Sequence, residues 1–105
     1  MDLNLTKDGQ RLVAAAYKEY LEKRKSGINK ANAKIIYPKD VHEKYFKGLT
    51  VSDYNETVSE ICRAFDCRKY MDGAFCLNDS AIVYMENRFK NGIVDAMSFL
   101  AQFIP

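Results

Sequence analysis

Few side chains in this sequence have the chemistry for a reaction. Cysteines stand at 62, 67 and 76, and the sole histidine is His42. Thiolates and imidazole together could ligate zinc, but zinc asks for about four ligands drawn close together. The cysteines are separated by four and eight intervening residues, so they form no Cys-x-x-Cys pair, and His42 lies far from them along the chain. An odd number of cysteines in a short chain is no disulfide framework either. Buried or half-buried free thiols are what this pattern implies. Asp53, Glu56 and Glu60 stand three and four apart, the helical spacing at which two carboxylates share a face and could act as acid and base. No Gly-rich phosphate loop or nucleophile motif accompanies them, so they read as the wet face of a helix. The expectation is a protein that is not an enzyme and uses no cofactor or metal.

Charge offers a second kind of chemistry. The whole chain carries only +2, so any pull on nucleic acid must come from a local patch. One such patch lies across residues 18–34, where Lys18, Lys23, Arg24, Lys25, Lys30 and Lys34 against Glu19 and Glu22 leave +4. Arg68 and Lys69 form a smaller one. Either could hold a phosphate backbone or an acidic partner. The plainer reading is a solvated helix end, which favours lysine and arginine in any case.

The elements that must position these residues follow from periodicity and caps. Thr6 starts a helix with Asp8 in its first turn, and Val13, Ala16, Tyr17, Tyr20 and Leu21 give it one apolar face. Lys18, Glu22, Lys23 and Lys25 take the wet side, and Ser26-Gly27 ends it. Asn29 caps a short second helix holding Ala33, Ile35 and Ile36. Tyr37-Pro38 marks a boundary, with Pro38 in the first turn of a third helix carrying Val41, Tyr45 and Phe46. Thr50 or Ser52 caps a fourth, whose Tyr54, Val58, Ile61, Cys62 and Phe65 form a clean stripe. Helix, Gly48 turn and helix over 38–65 have the spacing of a helix-turn-helix.

The segment 67–77 then changes character. Asp72-Gly73 between two short runs predicts a tight β-hairpin, because glycine takes positive φ freely. Tyr70 and Phe75 in its arms are expected to pack inward. A last helix is predicted over 80–104, with Asn91-Gly92 able to kink or divide it. It bears two apolar stripes. Phe89, Ile93, Met97, Leu100 and Ile104 mark the surface expected to meet a second copy in a homodimer. The fold class is therefore mostly α with a small β-hairpin, in one domain spanning 1–105. No segment reaches the roughly 20 apolar residues of a membrane span, and the start of the chain has no secretory pattern, which predicts a cytoplasmic protein without a membrane partner.

The segment "LNDSAIVYMENRF" (77–89) resembles the strand-to-helix passage of winged helix-turn-helix proteins, where L-T-D-K-G-I-x-Y-L-E is typical. Ala81-Ile82-Val83-Tyr84-Met85-Glu86 follows that pattern, Leu77 matches it, and Asn78 replaces its threonine. "YLEKRKSGINKANAKII" (20–36) and "ENRFKNGIVDAMSFLAQFIP" (86–105) are similar to small, poorly characterised winged-helix proteins of Gram-positive bacteria and their phages or mobile elements. The resemblance implies a winged helix-turn-helix with a long C-terminal helix, 67–77 as the wing, and DNA binding through helix 51–65 in a transcriptional regulator or mobile-element accessory factor.

One feature departs from that implication. Over 50–66, Asp53, Glu56, Glu60 and Asp66 against Arg63 leave −3, a charge that duplex DNA repels. The phosphate contacts are therefore expected at Lys23, Arg24, Lys25, Lys30, Arg63, Arg68 and Lys69. The alternative is a winged-helix module that binds another protein and no DNA, through its acidic helix 51–65 or its apolar C-terminal helix.

Overall fold

A computed structural model of the chain describes residues 4–103. The first helix, α1 (Lys7–Lys25), begins where Thr6 takes the Gly9 N–H on its hydroxyl at 3.0 Å. It ends at Gly27, whose φ of 98° lets the Ile28 N–H turn back to the Lys23 carbonyl at 3.0 Å. Asn29 caps α2 (Lys30–Ala33) through the Asn32 N–H. Ile35 and Ile36, expected on that helix, instead form β1 (Ile35–Ile36). Two β-branched residues ahead of a Tyr-Pro step favour extended backbone, and their strand partner lies far along the chain.

Pro38 opens α3 (Pro38–Tyr45), and Thr50 caps α4 (Val51–Phe65) by accepting the Asp53 N–H at 3.0 Å. Tyr54, Val58, Ile61 and Phe65 bury the predicted stripe of α4, with Cys62 half-buried at its margin. Asp66 ends the helix in the left-handed region, at φ 57°.

The hairpin forms around Asp72-Gly73. Tyr70 N–H donates to the Ala74 carbonyl at 2.8 Å, and Cys76 N–H donates to Arg68 at 2.9 Å. Its first arm is narrower than predicted, reduced to a single bridge between Lys69 and Phe75. Its second arm contains β2 (Phe75–Cys76), which pairs antiparallel with β1 on its other edge, Ile35 opposite Cys76 and Ile36 opposite Phe75. The chain is thus mostly helical with a small antiparallel β element.

The single helix predicted over 80–104 is divided. Asn78 caps α5 (Asp79–Arg88), the chain breaks at Phe89, and α6 (Ile93–Ala101) restarts after Gly92 at φ 62°. Asp95 holds the break by accepting the Asn91 N–H at 3.0 Å, and Phe89 turns into the core.

All of these elements surround α1, which touches every other helix and β1. From Leu12 to Tyr17 no residue is more than 3% exposed, so α1 is apolar all round rather than on one face. Lys18, expected on the wet side, lies under Tyr45 and donates to its hydroxyl at 2.8 Å and to Glu22 at 2.6 Å. Beside it, Glu19 is 4% exposed and accepts from Lys44 at 3.1 Å and from the Tyr45 hydroxyl at 3.2 Å. A carboxylate taken from water needs such partners, and these tie α1 to α3.

Candidate nucleic-acid interface

Helix α4 lies with its buried stripe on α1 and its opposite side in water. Ser52, Asn55, Glu56, Ser59 and Arg63 recur at steps of three and four, so they share that outer side. All are exposed except Ser59, which is half-buried. Only one of the five is acidic. The other acids predicted for this surface have different positions. Glu60 turns sideways to the start of α1, where its carboxylate accepts the Thr6 N–H at 2.6 Å and the Thr6 hydroxyl at 2.7 Å. That is where a helix carries partial positive charge. Gly9 leaves the space for it, since a Cβ there would stand 2.7 Å from the Glu60 carboxylate. Asp53 lies on the same flank, in the first turn of α4. The −3 read from the sequence of this segment is therefore unevenly distributed around the helix.

The hairpin lies against the other flank of α4. Lys69 Nζ donates to Ser59 Oγ at 2.7 Å, joining the first arm to the middle of the helix. Gly73, at φ 87°, brings the turn to Pro38 and Asn55, and Met71 at the tip is fully exposed. Phe75 is buried and Tyr70 half-buried, in line with their expected packing. Arg68 is exposed beside Lys69. The geometry brings Arg63, Arg68 and Lys69 together at the C-terminal end of α4 and the base of the hairpin.

The other predicted phosphate contacts fare differently. Lys23 is withdrawn: its ammonium donates to Asp40 at 2.9 Å and to the Ile35 carbonyl at 2.9 Å, and its side chain is 18% exposed. Asp40 also accepts the Tyr37 N–H at 3.0 Å, so this ion pair fixes the start of α3 against α1. Arg24 and Lys25 are exposed at the end of α1, where Arg24 donates to the Ile28 carbonyl. Lys30 lies 3.5 Å and Lys34 2.6 Å from the single carboxylate of Asp79. The hydrogen bond from Lys34, followed by the charge of Lys30, holds the Asp79 carboxyl below its ordinary pKa.

No family model matches this chain, and no characterised protein or solved structure does so significantly. The function must be read from the residues themselves. Among the described residues no group of three or more His, Cys, Asp or Glu is arranged to hold a metal ion. His42 stacks on Tyr54, with ring centroids 4.4 Å apart, and places Nε2 2.9 Å from the Leu49 carbonyl. Its position braces the turn between α3 and α4. Among the described residues no helix is long and apolar enough to cross a membrane.

The residues expected to meet a second copy are split by the break before α6. Phe89 and Leu100 are 6% and 8% exposed, covered by this chain's own core, and Ile93 is half-buried. Met97 is 53% exposed, and Val94 beside it is 66% exposed. Ile104 lies outside the described residues. What α6 presents to solvent is narrower than the stripe drawn from the sequence.

The sequence places Ser59, Glu56 and Arg63 on this surface; Ser52 and Asn55, missed as members of it, carry the same three- and four-residue spacing. The turn of Glu60 toward α1 carries no local signal, because its partner Thr6 lies 54 residues away.

Proposed function

We propose that this chain is a small winged-helix nucleic-acid-binding protein. In this reading α3 and α4 are the helix-turn-helix, the hairpin at 67–77 is the wing, and α4 meets the duplex with its outer side. The observation that carries it is the stripe Ser52, Asn55, Glu56, Ser59 and Arg63, with a single acid among its five residues, Lys69 bonded to Ser59 and Arg68 next to it. Small hydroxyl and amide side chains suit base edges and phosphates, while arginine and lysine neutralise the backbone. Arg63, Arg68 and Lys69 are the phosphate partners, and Asn55 and Ser52 face the groove. Arg24, Lys25 and Lys30 lie on α1 and α2 and extend the contact only if the duplex bends toward them.

The test is anisotropy of a labelled random duplex titrated with protein at several salt concentrations. Replacing Arg63, Arg68 and Lys69 together by alanine should weaken binding and reduce the log–log salt slope by about 2 to 3, at roughly 0.9 per lost phosphate contact. An unchanged slope would remove these residues from the interface. If the unmodified chain fails to retain the duplex at low salt, DNA is not its ligand.

A second reading takes the exposed Val94 and Met97 on α6 as a contact for a second copy of this chain. A groove of about 680 Å³ between α1, α3 and α6, lined by Met97, Leu100, Ala101 and Tyr45, adjoins them and favours it. A light-scattering mass of one chain at micromolar concentration would exclude this dimer.

A further inference from the structure

The three cysteines, scattered in sequence, meet at the base of the hairpin. Cys62 and Cys67 straddle the end of α4. Asp66, in left-handed conformation, turns the chain so that the Cys67 N–H donates back to the Cys62 carbonyl at 3.0 Å. This is the Schellman geometry, which brings the side chains on either side of the turn into contact. In a typical protein that contact is apolar. Here both positions are cysteines, so the turn sets thiol against thiol. Asn78 stands against the same turn, its side-chain amide donating to the Phe65 carbonyl at 2.7 Å and to the Asp66 carbonyl at 3.2 Å. Cys76 follows on β2, opposite Ile35. All three thiols are free and half-buried.

We infer that Cys67 and Cys62 form a reversible dithiol pair, in which a hydroperoxide oxidises Cys67 and Cys62 resolves the product. In the first step the Cys67 thiolate attacks the distal peroxide oxygen. The O–O bond breaks, an S–O bond forms, and the leaving alkoxide or hydroxide takes a proton from water. Cys67 becomes a sulfenic acid and the peroxide is reduced by two electrons. In the second step the Cys62 sulfur attacks the sulfenic sulfur, losing its proton, and water leaves with the oxygen. The product is a cystine across the end of α4. A dithiol reductant returns both thiols by exchange, itself becoming oxidised.

The surroundings set which cysteine reacts first. The neighbouring Cys62 thiol, with Asn78 adding to its effect, lowers the Cys67 pKa against the opposing effects of burial and Asp66. The nearness of Cys67, and burial, push Cys62 up. Burial raises Cys76, opposed by Lys34 and Arg68. Lys69 faces Cys62, and Asp79 faces Cys76. Cys67 is thus the thiolate of the cluster and Cys62 the proton-bearing neighbour that closes on it.

The sequence makes the test direct. Trypsin cuts after Lys47, Arg63, Arg68 and Lys69, so Cys62 falls in peptide 48–63, Cys67 in 64–68 and Cys76 in 70–88. The reduced full chain is treated with hydrogen peroxide, blocked with N-ethylmaleimide, digested and weighed without reduction. The expected product joins peptide 48–63 to 64–68 and disappears on adding dithiothreitol. Cys62→Ser should trap a sulfenic acid on Cys67 that dimedone labels, and Cys76→Ser should leave the cross-link unchanged. In the untreated chain near pH 7, iodoacetamide should alkylate Cys67 on the order of tenfold faster than Cys62 or Cys76, and urea should abolish the difference. A cross-link through Cys76, a cross-link between chains, or equal labelling of all three thiols in the folded protein would overturn the assignment. Neither arm depends on whether the chain binds nucleic acid.

Discussion

Gly9→Ala offers a sharp test of how α1 and α4 are joined. In an ordinary helix this substitution stabilises by about 0.5–1 kcal/mol, because alanine restricts the unfolded chain. At Gly9 the new Cβ would stand 2.7 to 2.9 Å from the carboxyl atoms of Glu60, inside any van der Waals contact. The carboxylate would have to move, and it is held by the Thr6 N–H at 2.6 Å and the Thr6 hydroxyl at 2.7 Å. Sheltered hydrogen bonds to a charged group contribute about 1.5–3 kcal/mol each. These two are open to solvent, so about 1 kcal/mol for the pair together is the better figure. Gain and loss then cancel, and Gly9→Ala should be near neutral in the natural chain. With Glu60→Ala already in place, the same substitution should stabilise by about 1 kcal/mol. Urea denaturation of the four proteins, followed by far-UV circular dichroism, gives the coupling as a double-mutant cycle. Equal stabilisation in both backgrounds, with a coupling below about 0.3 kcal/mol, would mean that Glu60 does not secure the start of α1.

Two further outcomes follow from buried polar groups. Tyr54 is 1% exposed and its hydroxyl has no hydrogen-bond partner among the described residues, so Tyr54→Phe should be neutral or stabilising by up to about 1 kcal/mol; a loss of more than about 1 kcal/mol in urea melts would reveal a partner for that hydroxyl. Alkaline pH should unfold the chain early. Burial raises the pKa of Tyr17, Tyr45 and Tyr54; the hydrogen bond to Glu19 raises Lys44; and for Lys18 the hydrogen bonds to Glu22 and Tyr45 outweigh the opposing effect of burial. A group whose folded pKa exceeds its unfolded value contributes stability in full below the unfolded pKa and loses it as pH climbs through the folded one. The thermal midpoint should therefore begin to fall from about pH 10, the ordinary tyrosine value. A midpoint that stays level to about pH 12 would contradict these burials.

What the sequence revealed was set by distance along the chain. Caps act within three residues, so Thr6, Asn29 and Thr50 were legible as helix starts. The stripe of α4 is periodic within one element and came through intact. β1 did not, because its partner β2 lies some forty residues on and a two-residue strand has no period of its own. Asn91-Gly92 marked the place where the last helix breaks, but only the burial of Phe89 decides that it divides rather than bends. The basic patch misled at Lys23 because its counter-charge, Asp40, sits on the next long helix. Glu60 misled for the same reason in reverse, since its positive partner is a helix terminus and no residue type announces it. The thiol pair is the intermediate case. Four residues separate Cys62 from Cys67, close enough to meet, but only if Asp66 accepts a conformation that few residues other than glycine adopt.

The central position of α1 has a consequence for how the protein is made. A ribosome releases α1 well before α6, yet the two pack together. Until α6 has emerged, the run Leu12–Tyr17 has no cover on one side and invites wrong contacts. Nascent chains arrested before residue 93 should therefore stay protease-sensitive and recruit chaperones, and the native state should appear in one step once α6 has emerged.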